Sequence, residues 1–151
     1  MSKNVPYENA TSGHAARNQI VDLLDKFGCE QVGFMDNFKN HEVILAFVYR
    51  GKNIQLTASA KGWAAMYLKE KPYSNRYHRR TRQEYEQAAF RQGLIAVNSV
   101  LRDWVKGQIT AIECGILKFD HVFLPYTLLE DGRSVMQALD EAGILKLEAP
   151  E

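Results

Sequence analysis

The strongest break in the sequence, Lys71-Pro72, separates a part with strand patterns from a part with helical patterns. The residue before a proline is pushed out of the α region, so a helix is expected to end here. Runs of strands followed by runs of helices favour an α+β fold over an alternating α/β fold. We therefore predict a flexible arm at residues 1–12 and one α+β domain at 13–151. Within the domain we expect a sheet half at about 13–60, a basic linker at about 67–82 and a helical half at about 83–143.

One helix and three strands are predicted before the break. Apolar residues at helical spacing indicate a first helix over about 14–27, with Gly28 as its stop. Alternating patterns indicate strands at about 30–35, 41–50 and 53–59, which would form a three-stranded antiparallel meander. Both faces of the middle strand are largely apolar, so we expect that strand to be covered on both faces.

One long helix dominates the part after the break. Thr81 is followed three residues later by Glu84, the pattern of a capped helix start. The apolar stripe that follows either continues in one helix to about Cys114 or is broken near Gly107. Gly93 and Gly107 each mark a kink or a close approach, since glycine costs about 1 kcal/mol relative to alanine within a helix. Short helices are predicted at about 118–125 and at 135–142, the second capped by Ser134 and stopped by Gly143.

Charge is distributed unevenly along the chain. The formal net charge is only +1, but residues 61–91 hold eight basic and three acidic residues, a net +5. Residues 103–151 hold nine acidic and four basic residues, a net −5. Such asymmetry suggests a nucleic-acid face, or complementary surfaces that meet head to tail in a homo-oligomer.

The basic linker is the candidate site. A positively charged groove with aromatic side chains is how proteins hold single-stranded nucleic acid without reading its sequence. Two alternatives stay open: a surface that contacts another protein, and a solvated loop whose charges pair with the acidic C-terminal third. The candidate nucleic-acid-binding residues are Lys69, Lys71, Tyr73, Arg76, Tyr77, Arg79, Arg80 and Arg82.

No catalytic, metal or cofactor signature is found in the sequence. The four histidines are dispersed, and no Gly-rich phosphate loop or nucleophile motif is present. Cys29 and Cys114 are expected to be buried thiols in a reducing compartment, although a bridge between them stays open. No apolar run reaches the ~20 residues of a membrane span, and the N-terminus lacks the apolar region of a signal peptide, so we expect a cytoplasmic protein.

Three stretches carry a longer pattern: DLLDKFGCEQVGF, VILAFVYRGKNIQL and LRDWVKGQITAIECGILKFDHVFLPYTLLEDGRSV. In these stretches, within roughly residues 20–137, the chain resembles small uncharacterised proteins carried by phages and prophages. The resemblance implies a setting on mobile DNA, in replication, recombination or interference with host defence. It transfers no site residues.

The sequence therefore favours non-enzymatic, sequence-tolerant nucleic-acid binding, to single strands more than to duplexes. A phage accessory factor in recombination or replication would fit this function. The alternative is a protein-binding module, such as an inhibitor of a host defence complex, and an enzyme is the third possibility.

Overall fold

The computed structural model describes residues 4–11, 13–74 and 80–145. A helix, three strands and then further helices follow one another, which confirms the predicted α+β class. The strands are β1 (Gln31–Asn37), β2 (Glu42–Tyr49) and β3 (Lys52–Ser59). The helices are α1 (Gly13–Phe27), α2 (Ala60–Glu70), α3 (Arg82–Glu113), α4 (Phe119–Phe123), a 3-10 turn (Leu124–Tyr126) and α5 (Val135–Ala142).

The sheet has the predicted antiparallel order β1-β2-β3, but only one of its faces is covered. Val43 and Phe47 of β2 are buried, whereas Ala46 is exposed and Ile44 and Val48 are half-buried. The expectation that β2 is covered on both faces was wrong. The core residues of α1 and α3 pack on the side of Val43 and Phe47, so the alternate side chains of β2 stay open to solvent.

One hydrophobic core joins the sheet to the helices that follow it. Ile20 of α1, Val105 and Ile109 of α3 and Phe123 of α4 are all buried in the same cluster as the inner face of the sheet. Phe123 meets Phe47 edge-on with ring centroids 5.5 Å apart, a favourable aromatic geometry. The sheet half and the helical half therefore describe the order of the sequence and not two packing units.

α3 is one continuous helix of 32 residues, which confirms the unbroken alternative. Thr81 Oγ1 accepts a hydrogen bond from the backbone N–H of Glu84 at 3.2 Å, as the capping pattern predicts. Gly93 marks a close approach to α2, because a Cβ added there would lie 2.9 Å from the carbonyl oxygen of Ala60. Gly107 has open space around it and marks neither a kink nor a contact.

Residues 4–11, which we call the N-terminal arm, are packed on the helices and do not form the expected flexible arm. Val5 is buried beside Trp63 of α2 and Ala96 of α3. The indole Nε1 of Trp63 donates a hydrogen bond to the carbonyl of Pro6 at 2.9 Å. The polar composition of the arm hid this docking, because a single buried valine gives no periodic signal.

The C-terminal elements return to the open edge of β3. The N–H of Leu128 donates to the carbonyl of Asn53 at 2.8 Å, so this short stretch extends the sheet by one bridge. Ser134 and Gln137 then form a capping box at the start of α5, and Gly143 ends it with a φ of 68°. The predicted cap and stop of this helix are both confirmed.

Both cysteines are free thiols. Cys29 is half-buried, but Cys114 is exposed, so the expectation of a buried Cys114 was wrong. The last buried residue of α3 is Ile109, and the final turn of the helix extends past the core.

Candidate nucleic-acid interface

The described basic residues of the linker lie where α2 ends and α3 begins. Lys69 is exposed in the last turn of α2, and Lys71 is the residue that ends this helix. Arg80 and Arg82 are exposed on either side of the cap residue Thr81. Three further predicted site residues lie outside the described part of the chain: Arg76, Tyr77 and Arg79.

A cluster of tyrosines joins the two ends of the linker to the helices. The ring of Tyr73 lies 5.7 Å from that of Tyr85, and the ring of Tyr67 lies 6.4 Å from it. The hydroxyl of Tyr85 donates to the carbonyl of Lys71 at 2.6 Å, and the hydroxyl of Tyr73 donates to that of Arg80 at 2.7 Å. Tyr67 and Tyr73 are half-buried in this cluster, so they brace the protein itself and are not free stacking platforms.

Lys71 is held by an internal partner. Its Nζ lies 2.5 Å from Oε2 of Glu8 on the N-terminal arm, and the Glu8 side chain is only 11% exposed. The hydrogen bond between them lowers the pKa of Glu8 and raises the pKa of Lys71. Both groups are therefore charged at neutral pH, and Lys71 neutralises a carboxylate of its own chain.

A groove runs along the first half of α3. Its volume is about 420 to 510 Å³ in scale, 510 Å³ for the cavity itself, which is within the range of small-molecule sites. Tyr67 of α2 and Glu8 of the arm form its walls. Two exposed arginines, Arg80 and Arg91, also line it. We call this cavity the α3 groove; its α3 side consists of Tyr85, Ala88, Ala89, Gln92 and Ile95.

The acidic C-terminal third does not neutralise these arginines. Arg133 pairs with Asp131 at 2.9 Å and with Glu141 at 2.5 Å, so two of the acidic residues are matched locally. Within the described ranges, four exposed cations near the groove make no ion pair: Lys69, Arg80, Arg82 and Arg91.

Sequence analysis missed two residues of this site. Arg91 lies off the apolar stripe of α3, so following the basic linker onto the helix would have found it. Glu8 is 63 residues from Lys71 and lies in a segment without periodicity, so no sequence signal connects the two.

Groups that could support catalysis are not assembled in the described part of the chain. No three histidine, cysteine, aspartate or glutamate side chains there are close enough to hold a metal ion. Burial raises the pKa of the Cys29 thiol to about 11, so this thiol is protonated at neutral pH. None of the helices in these ranges combines the length and apolar character needed to cross a membrane.

Comparison with protein-family models, curated proteins and solved structures finds no match for this chain. The setting on mobile DNA that the sequence resemblance implies stays a prediction. The functional argument rests on the chain's own residues, the unpaired cations beside the α3 groove.

Proposed function

We propose that the protein binds the sugar-phosphate backbone of nucleic acids, without sequence preference and without catalysing a reaction. The observation that carries this proposal is the set of exposed arginines, Arg80, Arg82 and Arg91, that have no ion-pair partner among the described residues. Phosphates attract cations that are not neutralised by the protein itself, and this term dominates non-specific binding.

We further propose that single strands bind more tightly than duplexes. The α3 groove holds the side chains of Tyr67 and Tyr85 together with Arg80 and Arg91. An unpaired nucleotide can place its base against an aromatic ring and its phosphate against a guanidinium. A duplex keeps its bases stacked and offers only its phosphates, so it gains less from the groove.

Fluorescence anisotropy with labelled single-stranded DNA, duplex DNA and RNA tests this function. Four free cations predict a slope of log K against log salt of about −3 for a single strand, at about −0.7 per phosphate. Titrations at about 50 and 200 mM salt measure this slope directly. Failure to bind any of the three nucleic acids at the lower salt concentration contradicts the proposal.

The double variant Arg80→Ala, Arg82→Ala identifies the site. It should flatten the slope by about 1.4 and leave the melting temperature nearly unchanged, because both side chains are exposed and unpaired. The matched control is Lys106→Ala, Lys118→Ala, which removes the same charge at the far end of α3. Lys106 lies about 36 Å from Arg82 along the helix axis. An equal loss of affinity in the control would assign the effect to net charge and contradict the site.

A protein-binding module is the second candidate. Large apolar side chains are exposed near the C-terminal end, including Ile116 at 74%, Ile144 at 66% and Leu124 at 49%. Exposed apolar residues that lie together mark interaction surfaces more often than isolated ones do. Salt separates the two functions, because binding through this surface would vary little with ionic strength.

A further inference from the structure

The N-terminal arm places a carboxylate in the α3 groove. The side chain of Glu8 lines the groove with Arg80 and Arg91, and it is paired with Lys71. Gln92 Nε2 donates hydrogen bonds to two carbonyls of the arm, at 3.1 and 2.8 Å, which fixes the arm over α3. An acidic group of the chain therefore occupies the position to which the surrounding cations would attract a phosphate.

The arm is fastened by few contacts. Val5 is the one buried side chain of residues 4–11, and Trp63 holds the neighbouring backbone by a single hydrogen bond. The backbone hydrogen bonds that the arm makes join only its own turns. A cavity of about 420 Å³ lies between the arm and the helices α1 and α3, so the packing beneath it is incomplete. Segments with so few buried contacts open locally at a low cost in free energy.

We propose that the arm is an acidic strap, and that a nucleic-acid phosphate displaces Glu8 from Lys71 and releases the arm from α3. This inference rests on the proposed function and concerns the regulation of the same site. Replacing one carboxylate by one phosphate gains little, since one anion is exchanged for another. A strand gains more, because its further phosphates contact Arg80 and Arg91 at the same time. The strap therefore favours polyanions over single phosphates.

The variant Glu8→Gln tests the strap in the full chain. It leaves Lys71 without its partner, so one additional phosphate contact becomes available to a labelled oligothymidylate. The salt slope should steepen by about 0.7, and affinity should rise roughly three- to ten-fold between 200 and 50 mM salt. The matched control is Glu113→Gln, which removes the same charge from an exposed position about 40 Å along α3 from the groove. An equal gain in both variants, or no gain in Glu8→Gln, overturns the inference while binding by the wild type sustains the proposed function.

Lys71→Met separates the release of Lys71 from a general loosening of the arm. In the wild-type background it should change affinity less than two-fold, because Glu8 already occupies Lys71. In the Glu8→Gln background it should abolish the three- to ten-fold gain. A gain that survives in the double variant overturns the inference. Absence of binding in every variant overturns the proposed function and the inference together.

Proteolysis supplies a readout that a purely structural arm would not produce. A glutamate-specific protease cuts after Glu8, and mass spectrometry of the released peptide 1–8 measures the rate. Saturating oligothymidylate should accelerate this cut in the wild type, because the strap has left α3. Ordinary ligand binding protects a chain from proteolysis, so a slower or unchanged cut contradicts release of the arm.

Discussion

The same substitution at two glycines of α3 should have opposite effects on stability. Gly93 is buried against α2, and a Cβ built there lies 2.9 Å from the carbonyl oxygen of Ala60 and 3.4 Å from Cε3 of Trp63. Gly107 is exposed, and a Cβ built there meets nothing within 4 Å. Both glycines lie within one continuous helix, so the intrinsic helix propensity gained by alanine is the same at the two positions.

The magnitudes follow from two terms. Alanine gains about 1 kcal/mol over glycine within a helix, and Gly107→Ala should keep all of this gain. At Gly93 the new methyl group meets a backbone oxygen, which cannot rotate away, so α2 and α3 must separate. Overpacking of this kind costs about 1–3 kcal/mol, and Gly93→Ala should therefore be about 0–2 kcal/mol less stable than the wild type. The two variants should differ by about 1–3 kcal/mol.

Urea unfolding followed by circular dichroism at 222 nm measures both variants against the wild type. A change of midpoint at constant slope reports a change in the free energy of unfolding. In thermal unfolding, each kcal/mol should shift the melting temperature by about 2–4 °C for a chain of this size. If Gly93→Ala proves as stable as Gly107→Ala, the close packing of α2 on α3 at Gly93 is wrong.

Three further predictions concern the core, the thiols and the arm. Phe123→Ala should lower the free energy of unfolding by about 3–5 kcal/mol in the same urea assay, because this side chain is fully buried; a loss below 1 kcal/mol would exclude it from the core. Ellman's reagent should titrate one thiol rapidly, the exposed Cys114, and Cys29 only on unfolding, since burial raises the pKa of Cys29 to about 11; two fast thiols would contradict this assignment. Hydrogen bonds from Lys71 and Arg102 lower the pKa values of Glu8 and Asp103, so their contribution to stability is present at neutral pH and lost as the pH falls through these lowered values, below about pH 4. Near-ultraviolet circular dichroism of the aromatic cluster should show this acid transition, and an unchanged spectrum at about pH 3 would argue against it.

Local sequence signals predicted the elements and their ends. Thr81 and Ser134 start their helices and Gly143 ends one, because a side-chain oxygen or a missing Cβ acts within a few residues of its own position. The antiparallel sheet also follows from short-range alternation in adjacent strands. The candidate site could be predicted only in part: the sequence located the cations at the end of α2 and the start of α3, since they are neighbours along the chain.

The tertiary structure decided what each of these groups contacts. It placed both packed helices on one face of the sheet, and it distinguished Gly93, against α2, from Gly107, in open space. It also brought Glu8 to Lys71 across 63 residues, which turns a predicted phosphate ligand into an internally paired cation. The sequence by itself thus determined which segments are helices, strands and basic linker, because those preferences are local. Which charges remain free to bind depended on contacts between distant segments, and these form only when the chain packs.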